Sequence, residues 1–178
     1  MTIGSEFLDQ SRKVFRSQKD LADKAIDQLS DGELLWQPDS ESNSVAINMK
    51  HLAGNMISRW TNFLTSDGEK PDRNRDGEFE IAEDDIQGLR EYWERGYSVF
   101  FTTLDSLTED DLLKTVTIRN EPHTVIQAIQ RQLSHYGYHI GQIVALAKHL
   151  NGENWKTLSI PRGKSEEYLG MKFVKSKK

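Results

Sequence analysis

His135 and His139 stand four apart in QLSHYGYHIGQI, and His51 stands in NMKHLAGN. On an α-helix, residues four apart lie on one face, about 40° from each other, so this H-x3-H pair aims two imidazoles the same way. The same spacing puts Asn48, His51 and Asn55 along one edge of another helix. Two facing helices could therefore bring three imidazoles to a common point, the way helical bundles build metal sites from inward side chains. Three imidazoles leave a coordination position open, which for Zn²⁺ is the catalytic arrangement. An ion so held can deprotonate a bound thiol or lower the pKa of bound water to about 7. The alternative is three histidines at the rim of an apolar stripe, hydrogen-bonded to Gln132, Gln142 or Asn55. His149 reads as a cation favouring a helix C-terminus, and His123 as a turn residue.

Spacing excludes several chemistries. Tyr136 follows His135 where a metallopeptidase would carry Glu. The residues three before the histidines are Asn48, Gln132 and Tyr136, so no Glu-x-x-His di-iron pair is present. A Gly-rich phosphate loop and a G-x-S-x-G elbow are also missing. The chain has no cysteine, which excludes disulfides, thiolate ligands and a cysteine nucleophile. Any thiolate must come from a small co-substrate. Arg73 and Arg75 in RNRDGEF could grip a carboxylate, and Arg162 in IPRG could do the same, the plainer alternative being a solvated charged loop. Trp60, Trp93, Tyr97 and Phe100 fall at helical spacing and read as core.

Four amphipathic helices must position these residues. The first runs from about Ser5 to Leu29 and stops at Ser30-Asp31-Gly32. The second is capped by Ser44 and reaches about Leu64, closed by Ser66-Asp67-Gly68. A charged stretch, Glu69 to Glu80, reads as irregular loop. The third begins near Ala82 and reaches Leu104. Thr115–Ile118 and His123–Val125 read as a short β-hairpin turning at Asn120-Glu121-Pro122. The fourth helix runs from Val125 to Leu150 and stops at Asn151-Gly152. The expected fold is all-α: one domain over residues 1–178, an antiparallel four-helix bundle with a short β-hairpin before the last helix. Trp93, Tyr97, Phe100 and Phe101, crowded on one helix, suggest a homodimer.

Among 178 residues, 28 acidic side chains outnumber 23 basic ones, which argues against a nucleic-acid partner. The lysines at 172, 175, 177 and 178 read as a solvated terminus. Glu6 and Asp9 stand where a signal peptide would be apolar, and no run is long enough for a membrane span, so a cytoplasmic protein is expected.

HLAGN at His51, RNRDGEF at Arg73, HTVIQAI, HYGYHIGQIV and WKTLSIPRG at Trp155 together resemble the DinB/YfiT-like superfamily. The resemblance is to a branch of small bacterial proteins related to bacillithiol S-transferases. It implies a four-helix bundle, often homodimeric, holding one divalent metal through one histidine of the second helix and an H-x3-H of the fourth. That pattern maps onto His51, His135 and His139. The metal expected first is Zn²⁺ or Ni²⁺, with Fe²⁺, Co²⁺ and Mn²⁺ also suited to imidazole. The implied activity is transfer of a low-molecular-weight thiol to a small-molecule substrate through a metal-activated thiolate. A hydrolase using metal-bound hydroxide and a non-catalytic metal-binding stress or interaction module are the alternatives.

Overall fold

The computed structural model describes residues 2–82 and 86–169. Helix α1 (Ile3–Ile26) starts at a capping box in which Thr2 and Ser5 exchange side-chain and backbone hydrogen bonds. Ser30 does not end this helix: its N–H donates to the Glu33 carboxylate (2.8 Å) and opens a short extra helix, α2 (Asp31–Leu35). Ser44 caps α3 (Val45–Trp60) as expected, its hydroxyl accepting from the Ile47 N–H at 3.1 Å. The charged stretch contains a 3-10 turn at Asp76–Phe79, where a loop without regular structure was expected. Helix α4 (Ile86–Ser106) follows; its expected start near Ala82 adjoins residues outside those described. Strands β1 (Thr115–Ile118) and β2 (Glu121–Thr124) pair antiparallel and lead into α5 (Val125–Asn151).

The hairpin turns at Arg119-Asn120, one residue earlier than Asn120-Glu121-Pro122. Both residues take positive φ (56° and 62°), the backbone a two-residue hairpin needs to match strand twist. Asp67 holds that turn by accepting from the N–H groups of Arg119 (2.9 Å) and Asn120 (2.8 Å). Asp67 thus serves the hairpin, while α3 ends earlier than expected, at Trp60.

Four long helices pack in a ring of neighbours: α3 against α4 and α5, and α1 against α5 and α4. Each contributes one ring to the centre. Phe15 meets Phe100 at 4.7 Å, Trp60 meets Phe100 at 4.7 Å, and Tyr136 meets Phe100 at 5.5 Å between centroids. Gly96 lets α4 approach α3, since a Cβ there would stand 2.8 Å from the Ala53 Cα. The aromatic set on α4 fills the core of one chain: Trp93, Tyr97 and Phe100 are buried, and Phe101 lies half-buried beneath the Arg16 guanidinium. Those rings therefore leave no broad exposed face for pairing, and the argument for a dimer built on them falls away.

Among the described residues, no helix is long and apolar enough to cross a membrane. The lysine-rich end at 172–178 lies outside the described residues.

Candidate metal centre

Helix α3 carries His51 and α5 carries His135 and His139, and one ligand nitrogen from each lies within 4.8 Å of the others. His51 and His139 are buried and His135 is half-buried. The rim position expected for His139 becomes interior because α3 packs over it. The Nε2 atoms of His51 and His135 stand 3.2 Å apart. Two nitrogens bound to one tetrahedral ion at about 2.0–2.1 Å would be about 3.3 Å apart, so this pair already has the spacing of two ligands.

The other ring nitrogens are engaged. His51 Nδ1 lies 2.9 Å from Glu78 Oε2, and His139 Nδ1 lies 2.8 Å from Asn48 Oδ1. The Asn48 amide is oriented by its own donation to the Ser44 carbonyl at 2.9 Å, so its oxygen faces the imidazole. An acceptor at each Nδ1 keeps the proton there and leaves the Nε2 lone pair free, the tautomer a metal requires. Burial first, then the neighbouring imidazoles, pull the His135 pKa down to about 3. Burial first, then His51, pull that of His139 down to about 4. Both are therefore neutral at pH 7, as ligands must be. Among the described residues, no further His, Cys, Asp or Glu joins the cluster.

Glu78 was not foreseen from the sequence. Its carboxylate is 5% exposed and accepts from His51 and, at 2.7 Å each, from Nε and Nη2 of Arg73. Burial works to raise its pKa, but the hydrogen bonds from His51 and Arg73 prevail and hold it below the ordinary value. The approach is possible because position 54 is glycine: a Cβ there would collide with the Glu78 carboxylate. Arg73, expected to grip a substrate, is instead held by Glu78 and by Glu69, with its side chain 4% exposed. It positions the carboxylate that positions His51.

A cleft of about 490 Å³ opens beside His51 and His135. It is lined by five arginines, at 59, 73, 75, 119 and 131. Arg75 is exposed and lines this cleft. Arg162 sits on the exposed C-terminal segment and is not among the lining residues. A larger hollow of about 720 Å³ lies on the other side of Glu78 and Arg73, but none of the three histidines lines it. The Phe79 ring packs on His51 at 4.8 Å, and Tyr138 stands against His139 at 5.0 Å. His123 Nδ1 donates locally to the Glu121 carbonyl, and His149 stacks on Trp36, both away from the cluster.

No curated protein matches the chain. The sequence pattern of one family does match, over residues 2–164 of the 178, and its description is "protein of unknown function". The chain belongs to that family, DUF1572.

Proposed function

We propose that the protein is a divalent-metal-dependent enzyme that transfers a low-molecular-weight thiol to a small-molecule substrate. One observation carries the reading: two Nε2 atoms at ligand spacing, with the Nδ1 protons of His51 and His139 held by Glu78 and Asn48, beside an open cleft. His51, His135 and His139 would hold the ion, with Zn²⁺ or Ni²⁺ the first candidates. A bound ion supplies Lewis acidity that lowers the pKa of a thiol or water beside it. With no cysteine in the chain, the sulfur has to come from the co-substrate. Arg75 is available to meet its carboxylate, and Phe79 shields one face of His51 from water.

The ring of contacts among α1, α3, α4 and α5 supports reading them as one four-helix bundle of the DinB/YfiT-like kind, with α2 and the 3-10 turns as connections. In this reading the protein is cytoplasmic, and a homodimer would pair through a surface other than the α4 aromatics.

The test is to reconstitute the protein with Zn²⁺ or Ni²⁺ and offer a panel of small thiols with an activated aryl chloride. Thioether formation with chloride release, lost in His51→Ala, is the expected result. Hydrolysis of activated esters without thiol dependence would replace this reading with the hydrolase. One equivalent of metal with neither activity would replace it with the non-catalytic module.

A further inference from the structure

Arg59 is a costly residue for a fold to keep. On α3 it is only 2% exposed, yet its Nε and Nη1 atoms are buried without a hydrogen-bond partner. The remaining nitrogen, Nη2, approaches Glu69 no closer than 3.8 Å, and Glu69 also serves Arg73 and Arg119. Buried guanidinium groups are ordinarily paired, because a desolvated charge without partners costs several kcal/mol. Among the described residues Glu69 alone stands within ion-pair distance of this one, and it is shared with two other arginines. Burial first, and then the like charges of Arg131 and Arg73, hold its pKa below the ordinary value despite Glu69.

Its surroundings share the same bias. The cleft that Arg59 lines includes no Asp or Glu among its lining residues, although the chain as a whole carries a net charge of −5. Arg131 and Arg75 line it too, and neither forms an ion pair among the described residues. Gln132, 1% exposed, brings a third buried and unpartnered atom, Oε1, to the same wall. The cleft volume of about 490 Å³ falls within the roughly 300–1,000 Å³ usual for small-molecule sites.

We infer that this cleft is an anion subsite: Arg59 and Arg131 clamp the carboxylate or phosphate of a small molecule whose other end reaches His51 and His135. Guanidinium forks match both anions bidentately, and the buried Arg59 fork, short of partners, binds an anion more strongly than a solvated lysine would. Gln132 Oε1 accepts from a hydroxyl or amine next to that anion. Only the reacting end of the molecule rests on the metal-enzyme reading; the anion clamp does not need a metal.

The experiment is calorimetric titration of full-length protein, metal-free and metal-loaded, with inorganic phosphate and separately with malonate. Wild type should bind at least one of them saturably, at one per chain, and the better probe distinguishes phosphate from carboxylate. Arg131→Gln and Arg59→Gln should each weaken that binding tenfold or more, with Arg162→Gln unchanged and metal content by elemental analysis unaltered. Arg131 is exposed, so its variant decides the matter if the Arg59 variant does not fold. Absence of saturable binding to wild type, or wild-type affinity in Arg131→Gln, overturns the inference. A protein that takes no metal but loses anion binding in Arg131→Gln would remove the metal-enzyme reading and keep this one.

Discussion

Replacing Glu78 with Gln keeps the shape of the side chain and removes its charge. The carboxylate now accepts three hydrogen bonds, from His51 Nδ1 (2.9 Å) and from Arg73 Nε and Nη2 (2.7 Å each). An amide has one acceptor oxygen and one donor NH₂, and the charged guanidinium will take the oxygen. The NH₂ then faces His51 Nδ1 and draws its lone pair, which moves the ring proton to Nε2 and blocks the atom a metal needs. Losing one charge-assisted bond costs about 1.5–3 kcal/mol. Arg73 keeps Glu69 at 3.1 Å, so the larger penalty of a fully unpaired buried charge is not expected. The metal-free variant should therefore unfold in urea with about 2 kcal/mol less stability. Outer partners of metal-bound histidines are typically worth 10–100-fold in affinity, and a loss of that size is expected for Zn²⁺ in competition with a chromophoric chelator at pH 7.5. Affinity within threefold of wild type, with the stability loss present, would refute the claim that Glu78 sets the His51 tautomer for metal binding.

Substituting His51, His135 or His139 by Ala should lose most of the metal after reconstitution at pH 7.5, while His123→Ala and His149→Ala should retain it, as read by elemental analysis. The pH dependence of the metal-free protein follows from His135 at about 3 and His139 at about 4. The unfolded chain titrates near 6.5, so both histidines favour folding above that pH, and the stability is lost as pH falls from about 6.5 toward 3–4. By pH 5 the loss should be about 2 kcal/mol for each, and urea curves that are superimposable at pH 5 and 7 would contradict it. Gly54→Ala should displace the Glu78 carboxylate and weaken metal binding tenfold or more, whereas Gly88→Ala, with open space around it, should only stabilise α4 by about 1 kcal/mol in the same denaturation assay. Gly96→Ala should destabilise by about 1–3 kcal/mol, because the new Cβ would press on the α3 backbone at Ala53.

Features that depend on residues within a turn or two of each other could be read directly from the chain. Ser44 as a cap, the H-x3-H face, the hairpin strand at Thr115–Ile118 and the last helix all belong here, since each is set by hydrogen bonds or side-chain spacing over at most four residues. The exclusions were equally local: no cysteine, no Glu before a histidine at the needed interval. Short-range competition also explains the misplaced boundaries. Ser30-Asp31-Gly32 contains both a stop and a start, and only Glu33 reaching back to Ser30 shows that the start prevails.

Tertiary packing decided the rest. His51 and His135 are 84 positions apart, and nothing in their separate helices compels the 3.2 Å between them; the meeting of α3 and α5 does. The loop of Arg73 and Glu78 read as a substrate grip or, more plainly, as solvated charge, and only its fold against Gly54 buries the two as the support of His51. The α4 aromatics looked like surplus for a partner until one ring from each long helix was seen to share a centre. Arg59 carried no local signal at all, since the cost of a buried, unpaired charge exists only once the chain has closed around it. The sequence by itself thus determined which side chains could bind a metal, and the packing of helices determined which tautomers they hold and what lies beside them.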